Sequence, residues 1–306
     1  MKLYRDLDQL PDNVRGGGVT IGNFDGVHRG HARIIERLIA QSEQAQGPSV
    51  VFTFDPHPVR LLRPDAAPPP LTWTDRKAEL LADLGVDAVI AYPTDNALLA
   101  LSPRAFFDKI VRNTLHAQAV VEGPNFYFGK DRTGTTDVLR SLCDEHGIAL
   151  EIVEPLEYDS AFISSSRIRA ALAHGDVAAA RDMLTAPYRI RGMVTHGAGR
   201  GNKIGFPTAN VDAIDTLLPG HGVYGGLAHV DGQPWRAAIN VGPNPTFGEH
   251  NDKLEVHLID FRGSIYGRPL VVDFLSRLRD IQPFTSIDAL QAQLQRDVAQ
   301  ARKLTI

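Results

Sequence analysis

The string GNFDGVHRGH, residues 22–31, constrains this chain more than any other part of its sequence. It follows an apolar run and leads directly into a helical pattern, which predicts a strand, a tight glycine turn and a helix. Such a turn directs backbone N–H groups and the positive end of the helix dipole toward one point, an arrangement that suits phosphate. His28 and His31 share a face at the helix start, where imidazoles can donate hydrogen bonds to phosphate oxygens. Taken alone, such a pair is more often a capping or packing pair.

Apolar runs alternate with helical patterns through the first half of the chain. The runs are residues 19–21, 50–54, 88–92, 119–122 and 148–153, and the helical patterns lie near residues 31–44, 75–84, 103–115 and 135–146. This alternation predicts an α/β fold, with a parallel sheet and helices on both of its faces. Ligands bind beyond the carboxyl ends of the strands in such sheets, so we expect the chemistry just after each apolar run.

Polar residues follow the second and fourth of these runs. The string FDPHP places Asp55 and His57 just past a strand end, where two prolines fix the backbone. A rigid turn and a functional site both remain open for this string. After the fourth run, Asn125 supplies an amide, whereas Phe126 and Phe128 alternate in a way more typical of core packing.

Two further segments of the first half stand out. Residues 63–73 are rich in proline, and they form either a lid or a long connection, of which we favour the connection. Residues 164–172, SSSRIRAAL, place hydroxyls at a helix start, where they cap the helix and can bind phosphate. By itself this segment would be an ordinary cap followed by the surface arginines Arg167 and Arg169.

Composition bounds the class of protein. A chain of 306 residues usually forms more than one domain, so we expect two. A net charge of -4 without a long basic run argues against nucleic acid as a partner. No run is as apolar as a membrane span, and the N-terminus lacks the apolar h-region of a signal peptide. The single cysteine, Cys143, cannot form an intrachain disulfide. We therefore expect a soluble cytoplasmic protein.

The pattern changes in the second half, after a boundary that we place between Ala186 and Pro187. Runs such as RIRGMVTH, GVYGGLAHV and LVVDFLSRL read as strands separated by glycine, proline and aspartate. A helical pattern returns only from Ser286, a plausible N-cap. This half therefore predicts an antiparallel barrel closed by a C-terminal helix, with domains at residues 1–186 and 187–306.

Two strings of the second half carry candidate chemistry. In GFPTAN, Thr208 and Asn210 face the same way on an extended chain, and their oxygens are hard ligands that fit Mg²⁺. In LEVHLID, Glu255 and His257 share the face opposite the apolar residues. Thr208 and Asn210 could simply form a turn, and Glu255 could be an ordinary solvent-exposed residue. A carboxylate that points at an alcohol is, however, also what phosphoryl transfer needs.

The strings together resemble a known family. GNFDGVHRGH, FTFDPHP, GPNFYFG and SSSRIR, in this order, resemble the adenylyltransferase module of bacterial bifunctional riboflavin kinase/FAD synthetases. GFPTAN, NVGPNPTFG and LEVHLID resemble the riboflavin kinase module of the same family. The resemblance implies a Rossmann-like nucleotidylyltransferase domain followed by an antiparallel β-barrel kinase domain with a closing helix.

The resemblance also implies roles for particular residues. His28 and His31 would stabilise the ATP phosphates, and Glu255 would be the base on the ribityl 5′-hydroxyl. Thr208 and Asn210 would bind Mg²⁺. The residues implied to bind ATP or its phosphates are Gly22, Phe24, Asp25, Asn125, Ser164, Ser165, Arg167, Gly205, Thr208 and Asn210. Those implied to lie near the flavin are Asp55, His57, Arg279 and Phe284.

The implied activity is the two-step synthesis of flavin cofactors. The C-terminal module would phosphorylate riboflavin to FMN with Mg-ATP, and the N-terminal module would adenylylate FMN to FAD with release of pyrophosphate. The partners would be small molecules, namely riboflavin, FMN and ATP, without nucleic acid or membrane, and self-association stays open.

Two departures from the family pattern and three alternatives remain. Asn202 and Asn244 stand where the family often has arginine, and Arg200 and Lys203 could supply the missing charge. The alternatives are an adenylyltransferase for another phosphate acceptor, a non-catalytic flavin-binding or regulatory protein, and an enzyme in which only one module is active.

Overall fold

A computed structural model describes residues 1–197, 201, 204–243 and 253–305. The chain divides into two compact units. The first comprises Met1–Pro68 and Thr74–Ser164, and the second comprises Pro69–Trp73 and Ser165–Ile306. The domain boundary that the sequence predicts, between residues 186 and 187, stays a prediction.

The first unit is built on the parallel sheet that the alternating pattern predicts. Its six strands are ordered β1-β4-β3-β2-β5-β6, and every neighbouring pair is parallel. The strands are β1 (Lys2–Tyr4), β2 (Gly18–Ile21), β3 (Ser49–Asp55), β4 (Ala88–Pro93), β5 (Ala119–Glu122) and β6 (Ala149–Ile152). The edge strand β1 is absent from the sequence expectation, because three residues are too few to give a periodic signal.

Helices connect these strands. They are α1 (Arg29–Gln44), α2 (Pro58–Leu62), α3 (Thr74–Asp83), α4 (Asn96–Leu99), α5 (Pro103–Phe106) and α6 (Thr136–His146). The helix expected near residues 103–115 begins at Pro103 but continues as a π-helix over Phe107–Thr114. Apolar spacing alone does not distinguish the two helix types over so short a span. A short hairpin, β7 (Glu157–Tyr158) with β8 (Ala161–Phe162), follows the sheet.

The second unit is a closed antiparallel barrel, which confirms the predicted architecture. Its strand order is β10-β13-β12-β11-β14-β9. The strands are β9 (Tyr188–Thr195), β10 (Ala209–Asp212), β11 (Gly222–Val230), β12 (Gln233–Gly242), β13 (Lys253–Leu258) and β14 (Pro269–Arg279). Helices α7 (Ser165–Ala173) and α8 (Val177–Met183) precede the barrel, and α9 (Ile287–Lys303) follows it.

The last residues of the proline-rich segment, Pro69–Trp73, belong to this second unit. The carbonyl of Pro69 accepts a hydrogen bond from Arg169 Nε at 2.8 Å, and the carbonyl of Pro70 accepts one from Leu217 N at 2.9 Å. The guanidinium of Arg191 lies 4.7 Å from the ring centroid of Trp73. Whether residues 63–73 act as a connection or as a lid stays a prediction. Within the described ranges, we find no helix that is both long and apolar enough to cross a membrane.

A buried carboxyl joins two central strands of the parallel sheet. Glu122, at the end of β5, is 3% exposed, and its Oε1 accepts a hydrogen bond from Ile21 N of β2 at 2.6 Å. Burial raises the pKa of Glu122 well above its usual value, because the charged form loses its hydration. The bond from Ile21 opposes this shift without cancelling it.

This pKa shift predicts a pH-dependent effect of Glu122→Gln. A carboxyl whose pKa is raised in the folded state loses its contribution to stability as the pH rises above the unfolded value, near 4.5. Glutamine keeps the acceptor but does not ionise, so the variant should gain stability over the parent as the pH rises above about 5, by up to about 1.4 kcal/mol for each pH unit until the raised pKa of the folded state is passed. Urea midpoints across this range measure the difference. Glu154→Gln, at an exposed position, is the matched control. A stability difference from the parent that stays constant with pH in both variants would contradict the prediction.

Candidate active sites

The glycine turn at the end of β2 has a constrained backbone. Phe24, Gly26 and Val27 all have positive φ, at 47°, 84° and 41°. Val27 is branched at Cβ and fully buried, so its conformation is one that such residues rarely adopt. Backbone of this kind persists only where the surroundings enforce it, and it concentrates at functional sites.

The two histidines cap helix α1 reciprocally. His28 Nδ1 accepts a hydrogen bond from the backbone N–H of His31 at 3.2 Å, and His31 Nδ1 accepts one from the N–H of His28 at 3.3 Å. Their rings are stacked, with centroids 3.6 Å apart. Because both Nδ1 atoms accept, the proton of each neutral ring must lie on Nε2. Each imidazole therefore keeps one N–H donor that the helix cap does not use.

Both rings are neutral at physiological pH. Burial lowers the pKa of His28 from 6.5 to about 4, against an opposing contribution from the carboxylate of Asp25. The pKa of His31 is lowered well below its usual value by burial first, and then by His28 and Lys77. The site thus offers neutral hydrogen-bond donors rather than two cations.

Gly30 sets the position of the His28 ring. A Cβ atom at Gly30 would lie 3.1 Å from Cε1 and from Nδ1 of His28, which is closer than ordinary side-chain contact. The same Cβ would lie 3.8 Å from the carbonyl oxygen of Ile163. Ile163 directly precedes Ser164, so the structure brings this predicted phosphate-binding residue to the first turn of α1.

Lys77 is a site neighbour that the sequence analysis missed. It is 7% exposed, on α3, and its Nζ donates to Thr53 Oγ1 at 3.2 Å. Burial lowers the pKa of Lys77, and Asp25 and Asp55 oppose the shift. A signal existed in the sequence, because Lys77 lies at helical spacing from the buried Leu80 on the apolar side of α3.

The residues after β3 have structural partners. Asp55 Oδ2 accepts hydrogen bonds from Thr74 Oγ1 at 2.6 Å and from Arg5 Nη1 at 3.1 Å. His57 caps α2, because its Nδ1 accepts from Val59 N at 3.1 Å. Their role near the flavin stays a prediction.

Phe24 forms a wall of the same site. It is 3% exposed, and its ring centroid lies 5.0 Å from that of His31. A Cβ at Gly22 would lie 3.0 Å from the Phe24 ring, so a larger residue there would require this ring to shift. Asn125 is exposed beyond β5, whereas Phe128, stacked on Phe126 at 5.3 Å, belongs to the core as expected.

The segment SSSRIR is divided between the two units. Ser164 ends the first unit, and α7 begins at Ser165 in the second. Arg167 lies in the first turn of α7, whose buried residues are Ile168 and Leu172. An approach of Ser165 and Arg167 to the ATP phosphates stays a prediction.

The barrel brings the second group of candidates together. Asn210 of β10 is paired directly with Glu255 of β13, which in turn is paired with Asn240 of β12. Side chains at directly opposed positions share one face of a sheet. The apolar neighbours of Glu255, Leu254 and Val256, are buried on the other face, as the alternation predicts.

Glycines pass close to the GFPTAN residues. A Cβ at Gly197 would lie 2.0 Å from Asn210 Nδ2, and a Cβ at Gly201 would lie 3.3 Å from Thr208 Oγ1. The first distance is too short for a real Cβ, and at Gly201 the backbone oxygen of Phe206, at 2.3 Å, excludes one, so glycine at both positions allows this close approach. Gly205 has a φ of 83° in the turn that precedes Thr208.

Two residues, His257 and Asn240, lie next to Glu255 in the sheet. His257 Nδ1 is hydrogen-bonded to the carbonyl of Pro207 at 2.7 Å, which ties GFPTAN to β13. Asn240 has a buried Nδ2 for which the described residues offer no hydrogen-bond partner. The sequence analysis quoted the string that Asn240 begins but did not select the residue, because strand register is not visible in the sequence.

Arg279 is held by the C-terminal helix. Its Nη2 bonds to Asp297 Oδ2 at 2.8 Å and its Nε to Asp297 Oδ1 at 3.0 Å, and Asp297 is 1% exposed. The guanidinium carbon lies 5.7 Å from the ring centroid of Phe284. The structure thus joins the two predicted flavin neighbours of this unit. Asn202, Asn244, Arg200 and Lys203 lie outside the described residues.

The oxygen donors fit a hard divalent cation. Thr208 contributes a hydroxyl and Asn210 an amide oxygen, with the Glu255 carboxylate in register beside Asn210. In the part of the chain that the structure describes, no three or more His, Cys, Asp or Glu residues form a metal cluster. A cation that takes few protein ligands and shares the phosphates of its nucleotide, such as Mg²⁺, suits this set.

A glycine turn and histidine-capped helix on a parallel sheet, together with a carboxylate paired with two asparagines on a barrel, are the arrangement expected of an enzyme with two nucleotide-handling units. Family models agree with this class: FAD synthetase matches residues 11–167, and riboflavin kinase matches residues 184–305. The chain belongs to the bifunctional riboflavin kinase/FMN adenylyltransferase family. Both predicted activities and their order along the chain are confirmed.

Similar proteins cover the whole chain. A protein of Pseudomonas fluorescens named bifunctional riboflavin kinase/FMN adenylyltransferase is 39% identical, over 99% of this chain and 98% of its own. One of the same name from Escherichia coli K12 is 36% identical, over 99% and 97%. A crystal structure titled macrolide-efflux protein from Streptococcus pneumoniae has a TM-score of 0.87 and 30% identity, covering 99% of both chains. The efflux named in that title is said only of that protein.

The contact between Gly30 and His28 predicts a selective defect. Gly30→Ala should displace the His28 ring and lower the rate of FAD formation by about 10²-fold, because catalysis is sensitive to small misplacements. FMN formation should be unchanged. Gly123→Ala is the matched control, because a Cβ there would meet only Ile34 Cδ1 at 3.7 Å. Rates of both reactions, followed by chromatography of the flavins, test this, and a parental rate of FAD formation in Gly30→Ala would contradict it.

Proposed function

We propose that His28 and His31 stabilise the transition state of adenylyl transfer as neutral donors. A phosphate oxygen of FMN attacks the α-phosphorus of ATP, the bond to the β-phosphate oxygen breaks, and pyrophosphate leaves with its electron pair. The Nε2–H groups donate to phosphate oxygens as negative charge shifts, and the N-terminal dipole of α1 acts in the same direction. The reciprocal capping is the observation that supports this role, since it leaves Nε2–H as the donor of each ring.

The remaining ATP contacts of this unit follow from the same turn. Backbone groups of Gly22, Phe24 and Asp25 line the turn, and we place Ser164 beside its helix, which the position of the Ile163 carbonyl next to Gly30 supports. We assign Ser165, Arg167 and Asn125 to the phosphates as well, and Asp55 and His57 to the flavin. No covalent intermediate is needed, because alignment and charge stabilisation suffice.

We propose that Glu255 is the general base of the kinase reaction. Its carboxylate takes the proton of the ribityl 5′-hydroxyl, the alkoxide oxygen attacks the γ-phosphorus of ATP, and ADP leaves. The pairing of Glu255 with Asn210 supports this role, because it places the base next to a metal-ligand candidate.

Mg²⁺ is held in this proposal by the side-chain oxygens of Thr208 and Asn210. When bound, the cation neutralises charge on the ATP phosphates. The positive φ of Gly205 shapes the turn before Thr208. Phe284, which the guanidinium of Arg279 contacts, forms an apolar surface for the flavin. A cytoplasmic location and self-association stay predictions.

Opposite defects are expected from one substitution in each unit. Glu255→Gln should lower FMN formation by about 10²–10⁴-fold, because the base is lost, and leave the conversion of FMN to FAD intact. His31→Ala should lower FAD formation by about 10²–10³-fold and accumulate FMN. Time courses with riboflavin, ATP and Mg²⁺, and separately with FMN and ATP, measure both.

Each variant is the folding control for the other reaction. Loss of both reactions in Glu255→Gln would contradict the separation of the two sites, and a parental FAD rate in His31→Ala would contradict the phosphate-stabilising role. Absence of any turnover in the parent chain would instead favour a flavin-binding protein, and adenylylation of an acceptor other than FMN would favour the other alternative.

A further inference from the structure

Lys77 is a buried ammonium group at the edge of the adenylyl-transfer site. Lysine is almost never fully buried unless something holds it there, and Lys77 is only 7% exposed. Its neighbour on α3, Arg76, is equally buried at 8% but has a partner on its own helix, Glu79 at 3.0 Å. Lys77 instead reaches away from its helix, to the hydroxyl of Thr53 on β3.

The hydrogen bonds from Lys77 lead to the glycine turn. Lys77 Nζ donates to Thr53 Oγ1 at 3.2 Å, and Thr53 Oγ1 donates to the carbonyl of Asn23, also at 3.2 Å. A threonine hydroxyl has a single proton, so the direction of both bonds is fixed. Thr53 is fully buried, so water does not compete for these bonds. The chain of bonds therefore ties α3 to the backbone of the turn that contains Phe24 and Val27.

Several charges surround this ammonium. Asp25 on the turn and Asp55 at the end of β3 favour its protonated form. Lys77 in turn disfavours protonation of His31, which also faces the ring of His28. With both imidazoles neutral, Lys77 is a fixed positive charge next to a site that receives a polyphosphate.

We propose that Lys77 is a positioning residue of adenylyl transfer, which acts through Thr53 on the turn at residues 22–27. The proposal rests on the role of His31 given above. The two hydrogen bonds tie the turn and its backbone N–H groups to α3, and the charge of Lys77 separately adds to the burial that keeps the His31 ring neutral. Removing the hydroxyl of Thr53 abolishes the first effect and leaves the second.

The test compares Lys77→Met with Thr53→Val in the full chain. Both should lower kcat for FAD formation by about 10²-fold, because the turn is no longer tied to α3. Only Lys77→Met should raise the pH midpoint of the His31 imidazole, since a nearby positive charge is lost. The midpoint is read from the ¹⁵N NMR titration of the side chain. Arg76→Met removes an equally buried cation from the same helix and should change neither quantity.

The outcomes separate positioning from general destabilisation. An unchanged kcat in Thr53→Val, an unmoved His31 midpoint in Lys77→Met, or equal effects in Arg76→Met would each overturn the proposal. Folding of each variant is checked by its FMN formation and by amide dispersion in the NMR spectrum. If Lys77→Met does not fold, kcat of Thr53→Val decides. If His31→Ala leaves FAD formation intact, the proposed role of His31 is wrong. The His31 midpoint in Lys77→Met still measures the effect of the Lys77 charge.

Discussion

The reciprocal hydrogen bonds between His28 and His31 are the interaction on which the first active site depends. They satisfy orphan N–H groups at the start of α1, fix both rings in one stacked arrangement and force the same tautomer on each. The helix cap and the proposed catalytic pair are thus the same two residues. Its neutrality also has a structural cause, because burial outweighs the attraction of Asp25 for a proton on His28.

The second active site depends on a different constraint, which is the closed register of the barrel. Three neighbouring strands place Asn210, Glu255 and Asn240 side by side on one face, while the intervening residues fill the interior. A shift of one residue would exchange the two faces and bury Glu255. Glycines at 197 and 201 then allow the preceding segment to approach Asn210 and Thr208. In this account, the helix cap positions the residues proposed for adenylyl transfer, and strand pairing positions those proposed for the kinase reaction.

Much of this was predictable from sequence, for identifiable reasons. Strand–helix alternation predicted the parallel sheet, and the GNFDGVHRGH string predicted the glycine turn and the start of α1, because glycine and histidine at these spacings leave a local signal. Lys77 and Asn240 were missed, since each matters through a partner far away in sequence, Thr53 and Glu255. Local strings likewise gave no hint that Arg279 is paired with Asp297 of α9.

The protonation of the histidine pair tests the account most directly. Imidazole ¹⁵N chemical shifts, assigned with the His28→Gln and His31→Gln variants and followed against pH, report both the midpoint and the tautomer. We expect His28 to titrate at about 4 and both neutral rings to carry their proton on Nε2. A His28 midpoint near 6.5, with the proton of the neutral ring on Nδ1, would mean that the reciprocal cap does not exist in solution and would contradict the account.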